Sequence, residues 1–134
     1  MALPTVYFAH PINSYGTKLE PELIKKIELY FKICDVENPN QKKHHDECKR
    51  RKDAGLNVME YFFKEVIPGC AACVCLPFRD GLFGAGIYGE AEIFHQQGKR
   101  IFSISPDGEI KEIKFKDMIG LSIEKTRERI KTAY

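Results

Sequence analysis

Short apolar runs alternate with longer stretches of helical periodicity along the chain. Residues 5–9 (TVYFA) are β-branched and aromatic, which is typical of a strand buried on both faces. Residues 34–37, 71–76 and 100–105 predict three further strands, with 71–76 (AACVCL) at the centre. Residues 109–115 (EIKEIKF) predict an edge strand, because their lysines discourage pairing with another edge.

The stretches between these strands predict helices. In residues 19–31 the apolar positions share one face, and Glu20 and Glu22 suit the positive end of a helix dipole. Residues 55–66 predict a second amphipathic helix and residues 122–132 a charged one. Strands that alternate with helices predict an α/β fold, Rossmann-like or flavodoxin-like, with a five-stranded parallel sheet and helices on both faces.

The composition is typical of one compact domain covering residues 1–134. The chain is 43% apolar and 30% charged, and it is long enough to bury a core. A net charge of +2 gives no reason to expect polymeric nucleic acid or an acidic membrane surface as a partner. No apolar run reaches bilayer length, and the first apolar run lacks the flanks of a signal peptide, so we expect a cytoplasmic protein.

The five cysteines allow two interpretations. Their odd number argues against a disulfide framework, and those inside a predicted strand would act as small apolar residues. Alternatively, a zinc-bound interaction domain would draw its ligands from two segments, His44, His45 and Cys48 with Cys70 and Cys73. The second cysteine pair runs directly into an apolar strand, which is unfavourable for converging thiols. We therefore expect neither a metal nor another cofactor.

The segment at residues 42–52 (KKHHDECKRRK) is strongly charged. Such a run usually forms a solvated helix or a mobile loop. Alternatively, its clustered lysines and arginines would suit a lid that faces a phosphate.

Residues 77–99 (PFRDGLFGAGIYGEAEIFHQQGK) follow the predicted central strand and contain the strongest candidate chemistry. At about 100° per residue, Ile87, Ala91 and Phe94 form an apolar stripe in the helical part. Glu90 lies at the border of that stripe, whereas Glu92 points to nearly the opposite side. Glu90 is therefore expected near the mouth of the sheet, either as a catalytic carboxylate or as a first-turn glutamate that only favours the helix dipole.

Glycines precede this predicted helix. Glycine lets a ligand approach the backbone closely, and a helix N-terminus attracts anions, so Gly84 and Gly86 are candidate ligand-binding positions. The segment contains neither a GxGxxG motif nor a P-loop, so the common nucleotide motifs are missing from it. Asp80 and Gly81 are also compatible with a simple tight turn.

Two short motifs resemble the nucleoside 2-deoxyribosyltransferase family and its relatives, the deoxynucleoside 5′-monophosphate N-glycosidases. VYFA at residues 6–9 resembles the family's opening strand, whose tyrosine supports the catalytic acid. LPFRDGLFGAGIYGEAEIFHQQGK is similar to the family's order of strand, loop, glycine, acid and GK. Glu90 stands eight residues before Gly98, as the family's nucleophilic glutamate does before its glycine. The order of elements is similar over most of the chain.

The resemblance implies a reaction and a set of residue roles. The expected activity is cleavage or transfer at the N-glycosidic bond of a nucleoside or nucleoside 5′-monophosphate, with Glu90 as the nucleophile that stabilises positive charge on the sugar. Tyr7 would orient Glu90, and Asp80 is the candidate acid for the departing base. Sugar hydroxyls or a 5′-phosphate would bind to residues of the loops after two predicted strands, namely His10, Asn13, Ser14, Gly16 and Arg79.

The sequence departs from the family pattern at Gly84, where many members have an aspartate or a serine. This departure favours an alternative, a non-catalytic nucleotide-binding or sensing module on the same fold. Arg79 and the basic segment 42–52 favour a phosphorylated substrate. Family members commonly pair subunits to complete a site, so the resemblance also implies a homo-oligomer.

Overall fold

The computed structural model describes residues 3–134, which form a five-stranded sheet flanked by helices. The strands are β1 (Thr5–Ala9), β2 (Asp35–Glu37), β3 (Ala72–Cys75), β4 (Arg100–Ile104) and β5 (Ile110–Ile113). Their order in the sheet is β2-β1-β3-β4-β5, which is the flavodoxin-like order. Strands β1 to β4 are parallel. The predicted α/β class is confirmed.

Five α-helices are present in the described part of the chain. They are α1 (Leu19–Phe31), α2 (Lys42–Asp53), α3 (Val58–Tyr61), α4 (Ala85–Gln96) and α5 (Ile123–Ile130). Helix α3 continues as a π-helical turn over Phe62–Val66 and a 3-10 turn over Ile67–Gly69. Across residues 3–134, none of the helices combines the length and the apolar character that crossing a membrane would require.

Alternate residues of the strands face two separate apolar layers. On one face of the sheet Phe8 of β1 packs with Ile27 of α1. On the other face Tyr7 packs with Ala91 and Phe94 of α4. Successive strand residues point in opposite directions, so the apolar run of β1 supplies both layers at once. Helices therefore cover both faces of the sheet, as predicted, and Tyr7 is directed toward α4.

The fifth strand is antiparallel to β4, which corrects the prediction of an all-parallel sheet. Ile104 pairs with Ile110, and the connection turns through Gly108, whose φ of +89° suits glycine. A parallel neighbour needs a crossover of a dozen or more residues, and a tight turn cannot supply it. The chain therefore returns beside β4 and forms the edge of the sheet.

The helix predicted at residues 55–66 begins later than expected. Gly55 takes a φ of +73° just after α2 ends. The side chain of Asn57 then accepts a hydrogen bond from the backbone N–H of Met59 at 2.9 Å and caps α3. A left-handed glycine after α2 and an asparagine cap before α3 therefore move the start of the second helix from the predicted Gly55 to Val58.

The charged segment 42–52 lies in α2, so of the two structures predicted for it the helix is correct. One of its side chains, His44, is nonetheless buried. The His44 ring forms hydrogen bonds with the Tyr61 hydroxyl at 2.7 Å and with Glu37 at 2.5 Å. These bonds attach α2 to α3 and to the end of β2, and they hold α2 beside the carboxyl ends of the strands.

Candidate functional site

A cavity of about 440 Å³ opens at the carboxyl ends of β1 and β3. The helices that follow these two strands, α1 and α4, pack on opposite faces of the sheet. The cavity therefore lies at the topological switch point, where open α/β sheets bind ligands. Most of its wall is apolar. The polar side chains that line it are Tyr7, His10, Tyr15, His45, Cys48, Glu90 and Thr126.

Glu90 reaches the cavity because of its position on α4. The helix packs on the sheet through Ile87, Ala91 and Phe94, which are all buried. Glu90 borders this stripe and is only 7% exposed, whereas Glu92 is exposed to solvent. The helical spacing had predicted this division between the two acids. The carboxyl of Glu90 is thus enclosed by protein on most sides and lines the cavity.

The Tyr7 hydroxyl donates a buried hydrogen bond to Oε2 of Glu90. The predicted contact between these two residues is therefore present. Burial raises the pKa of Glu90 to about 7, and the hydrogen bond from Tyr7 only partly opposes that rise. Burial and then the charge of Glu90 hold the pKa of Tyr7 well above its ordinary value, so Tyr7 remains a hydrogen-bond donor.

Tyr15 is a second tyrosine of the cavity wall. It lies in the loop after β1, and the centroid of its ring is 4.7 Å from the centroid of the His10 ring. Burial, followed by the charges of Glu90 and Glu20, raises the pKa of Tyr15 above its ordinary value. Within residues 3–134 its hydroxyl has no hydrogen-bond partner, so it can donate to a ligand in the cavity.

His10 lines the cavity, but both of its ring nitrogens are engaged by protein. Nδ1 is 2.9 Å from the carbonyl oxygen of Phe8, and Nε2 is 2.7 Å from Oε2 of Glu20. Its ring also stacks on the ring of Phe8 at 4.1 Å. His10 therefore offers the cavity a ring edge rather than a free nitrogen, which differs from its predicted role in binding hydroxyls or phosphate.

A chain of hydrogen bonds connects His10 to a second histidine at the cavity. Glu20 accepts two bonds of 3.0 Å from the side-chain amide of Asn40, and Oδ1 of Asn40 is 2.6 Å from Nε2 of His45. Burial alone would raise the pKa of Glu20, but the hydrogen bonds from His10 and Asn40 hold it below its ordinary value. Glu20 is therefore an anchored carboxylate between two cavity-lining histidines.

Asp80, the predicted acid for the departing base, does not line the cavity. Its carboxylate is half-exposed and forms an ion pair with Arg129 of α5. The hydrogen bond from Arg129 lowers the pKa of Asp80, which is opposite to what a proton donor at neutral pH requires. The geometry therefore removes Asp80 from the predicted catalytic set and assigns it to holding α5.

Two of the predicted substrate-binding residues also hold the C-terminal segment instead of lining the cavity. The side-chain amide of Asn13 donates to the backbone carbonyls of Arg129 and Thr132, at 3.2 Å and 3.0 Å. The Arg79 guanidinium lies over the ring of Tyr134 and donates to a backbone oxygen of that residue at 2.5 Å. Both contacts place α5 over the cavity.

Two further predicted binding residues serve the backbone of the loop after β1. The buried Ser14 hydroxyl donates to the carbonyl of Pro11 at 2.6 Å. Gly16 takes a φ of +71°, and its backbone N–H approaches Glu20 at 3.4 Å. Neither residue lines the cavity. The prediction that they contact substrate is not supported, because both are used to shape the loop.

Gly84 and Gly86, the glycines predicted to bind a ligand, line the cavity. A Cβ on Gly84 would lie 3.3 Å from Cγ2 of Thr126, so α5 packs closely against the start of α4. Thr126 also accepts a hydrogen bond from the backbone N–H of Ala85 at 2.9 Å. At Gly86, by contrast, the nearest neighbour of an added Cβ would be Cε of Met59 at 3.9 Å. Space for a ligand therefore remains beside Gly86.

Several residues of the cavity wall were not predicted from the sequence. They come from four segments that are distant in the chain: the loop after β1, α2, α3 with its π-helical turn, and α5. The residues are Tyr15, His45, Cys48, Met59, Phe62, Thr126 and Ile130. The charged segment 42–52 gave one usable signal, the adjacent histidines in an otherwise basic and acidic run. Helical spacing places one of them in the core and the other toward the cavity, but the sequence does not show which.

The predicted alternative of a zinc site has no support in residues 3–134. No group of three or more histidine, cysteine or acidic side chains there is arranged to hold a metal ion. His44 binds Glu37 and Tyr61 instead. Cys73 and Cys75 are buried in the core, with their sulfurs 3.8 Å apart, and all five cysteines are free thiols.

Comparisons with protein-family models, with curated proteins and with solved structures each found no match.

Proposed function

We propose that this protein cleaves or transfers the N-glycosidic bond of a nucleoside or nucleoside 5′-monophosphate, with Glu90 as the nucleophile. One observation supports this proposal above the others. A buried carboxyl at the wall of a cavity at the switch point is fixed by the Tyr7 hydroxyl. The resemblance to nucleoside 2-deoxyribosyltransferases, which rests on the motifs around these two residues, suggests the reaction class.

The chemistry needs a fixed anion beneath the sugar. Breaking the bond between C1′ and the base builds positive, oxocarbenium-like charge on the sugar, and a carboxylate stabilises that charge and can bond to C1′. Tyr7 engages Oε2 of Glu90. Among the described residues, no hydrogen bond reaches Oε1, so this oxygen is available to C1′. Water or a second base would then release the sugar, which distinguishes hydrolysis from transfer.

The cavity fits a base and a pentose in size and polarity. A volume of about 440 Å³ lies within the usual range for small-molecule sites. Met59, Phe62 and Phe78 supply apolar wall suited to a planar base, and Glu90 is the one carboxylate among the lining residues described.

The lining favours an uncharged nucleoside over a 5′-monophosphate. Among the residues described, no lysine or arginine lines the cavity. Arg79 lies at Tyr134, and the arginines of α2 pair with carboxylates, Arg50 and Arg51 with Glu47. A 5′-phosphate would have to rely on backbone N–H groups at the start of α4.

The decisive experiment measures release of free base. Nucleosides with and without a 5′-phosphate are incubated with the wild-type protein, with Glu90→Ala and with Glu92→Ala, and the base is quantified by chromatography. Glu92 is a matched control because it is an exposed glutamate on the same helix. We expect wild type and Glu92→Ala to release base at similar rates and Glu90→Ala to be slower by about 1,000-fold or more. Equal rates for all three proteins would contradict the proposal.

A non-catalytic nucleotide-binding or sensing module is the second candidate. The observation that favours it is the position of Asp80, which leaves Glu90 as the one carboxylate among the described lining residues. In that case nucleosides or nucleotides would raise the melting temperature of the protein without any release of base. The same panel, measured by thermal shift and by chromatography, separates the two functions.

The resemblance also suggests a homo-oligomer, and the free thiols favour a reducing compartment such as the cytoplasm. Light scattering coupled to size-exclusion chromatography tests the oligomer, and a fluorescent fusion tests the location.

A further inference from the structure

The proposed reaction needs a proton donor for the departing base. When the bond between C1′ and the base nitrogen breaks, both electrons stay with the base, and a proton must neutralise them in most nucleosides. Asp80 cannot supply it, because it is paired with Arg129 away from the cavity. Besides Glu90, the described side chains of the wall that titrate in water are Tyr7, His10, Tyr15, His45 and Cys48.

Four of these five groups are poor proton donors where they stand. Tyr7 already donates to Glu90, and both ring nitrogens of His10 are engaged. Tyr15 and Cys48 are partly buried, and burial raises the pKa of each above its ordinary value. The remaining group is the imidazole of His45, an exposed side chain at the cavity, and imidazole is the most common general acid of enzymes.

The neighbours of His45 determine which ring nitrogen exchanges a proton. Glu20 is a carboxylate that only accepts hydrogen bonds, so the Asn40 group facing it at 3.0 Å must be the amide NH₂. The other end of the Asn40 amide, Oδ1, then faces Nε2 of His45 at 2.6 Å, and this nitrogen must carry a hydrogen. Nδ1 is consequently the nitrogen of His45 that gains and loses a proton.

We infer that His45 is the general acid of the reaction, held in its tautomer by the Glu20–Asn40 pair; this inference rests on the proposed function. In the first step an oxygen of Glu90 bonds to C1′, the bond from C1′ to the base breaks, and the proton on Nδ1 of His45 passes to the base. In the second step a water oxygen, or a nitrogen of an incoming base, bonds to C1′. Its proton returns to Nδ1, and Glu90 leaves as a carboxylate.

Asn40 and Glu20 are positioning residues in this scheme. They do not contact the substrate, and their effect passes through the orientation of the His45 ring. In other enzymes a carboxylate that bonds directly to the catalytic imidazole fixes its tautomer, whereas here Asn40 lies between Glu20 and His45.

The test compares two leaving groups in two matched variants. The substrates are the nucleoside that the wild-type protein cleaves best and its N-methylated cation, whose base leaves as a neutral molecule without an added proton. The variants are His45→Gln, which keeps a donor toward Asn40, and His95→Gln. His95 is a matched control because it is an exposed histidine outside the cavity, stacked on Phe115.

We expect His45→Gln to slow release of the unmodified base by about 100-fold or more and release of the methylated base by less than about tenfold. His95→Gln should slow neither. An equal loss for both substrates, or no loss for either, would overturn the role of His45 while leaving the proposed function intact, provided that Glu90→Ala still slows both substrates. If Glu90→Ala slows neither, or if the wild-type protein releases no base, the proposed function fails and this inference fails with it.

Discussion

The Tyr7 hydroxyl and the Glu90 carboxylate are separated by 83 positions in the chain and share a buried hydrogen bond. Tyr7 belongs to the first strand and Glu90 to the helix that follows the central strand. The bond therefore fixes the carboxylate relative to the sheet, and through it relative to the cavity at the strand ends. It also controls ionisation, because it stabilises the charged form of a carboxyl that burial would otherwise keep neutral.

Substitution of Tyr7 by phenylalanine tests the effect of its hydroxyl on the ionisation of Glu90. A nucleophile must be ionised, so release of the N-methylated base, which needs no proton from a general acid, should rise with pH through about 7 in the wild-type protein, where the carboxyl of Glu90 loses its proton. Tyr7→Phe removes the hydrogen bond that favours the anion. We expect the midpoint of that rise to move upward by roughly one pH unit. The measurement is kcat/KM as a function of pH.

Tyr88→Phe is the control for that experiment, because Tyr88 packs against Phe115 and does not line the cavity. Its pH profile should match that of the wild-type protein. A Tyr7→Phe profile that keeps its midpoint, or moves it downward, would be incompatible with the proposed effect of the hydroxyl.

Glu90 should make the protein less stable as the pH rises. Its pKa is about 7 in the folded protein, against 4.5 for an ordinary glutamate. Between these values the folded state binds more protons than the unfolded state, so the contribution of this group to stability is full below pH 4.5 and is lost as the pH rises through 7. For Glu90→Gln, we expect the gain in free energy of unfolding over wild type to grow by roughly 3 kcal/mol from pH 4 to pH 8.

Denaturant unfolding at several pH values measures this difference, with Glu92→Gln as the control whose difference from wild type stays constant. A gain for Glu90→Gln that is the same at pH 4 and pH 8 would show that Glu90 titrates normally.

Asp80→Asn separates a positioning role from an acid role. The asparagine keeps the shape of the side chain but loses the ion pair with Arg129. Because Asp80 lies outside the cavity wall, we expect base release to fall by less than about fivefold, whereas loss of a general acid costs about 100-fold or more. A loss as large as that of Glu90→Ala would return Asp80 to the catalytic set.

Gly86→Leu should close the cavity without disturbing the fold. The Cβ position at Gly86 meets open space apart from Met59 at 3.9 Å, and α4 tolerates leucine better than glycine. We expect KM, or the Kd for a nucleoside, to rise at least about tenfold because leucine occupies the space of the ligand, while the melting temperature stays the same or increases.

Gly89→Ala is the comparison variant, because Gly89 lies on the same helix and a Cβ there makes an ordinary 3.5 Å contact with Phe63. Binding should be unchanged in it. Unchanged nucleoside affinity in Gly86→Leu would mean that ligands bind elsewhere.

Local patterns were sufficient to predict the five strands and the orientation of α4. The first strand was predicted with its observed limits, Thr5–Ala9, because β-branched and aromatic residues end there at a histidine and a proline. The burial of Glu90 and the exposure of Glu92 followed from helical spacing alone. Both results depend only on residues that are close together in the chain.

The rest of the cavity depends on contacts between distant segments. Asn13 and Asp80 are polar loop residues, and the sequence cannot show that their partners are carbonyls and a guanidinium of the C-terminal helix. The position of His45 at the cavity could not be predicted either. A charged segment without an apolar face does not show which side of its helix faces the protein. The antiparallel direction of β5 was not predicted, although its cause is local, because the turn through Gly108 is too short for a parallel connection.

A covalent glycosyl-enzyme is the most direct test of the central claim. The wild-type protein is mixed with its best nucleoside, quenched in acid during turnover, digested and analysed by mass spectrometry. The account predicts a pentosyl group on the peptide that contains Glu90, bonded to that side chain, and no such group in Glu90→Gln. Base release at the wild-type rate by Glu90→Gln, or a pentosyl group on another residue, would contradict it.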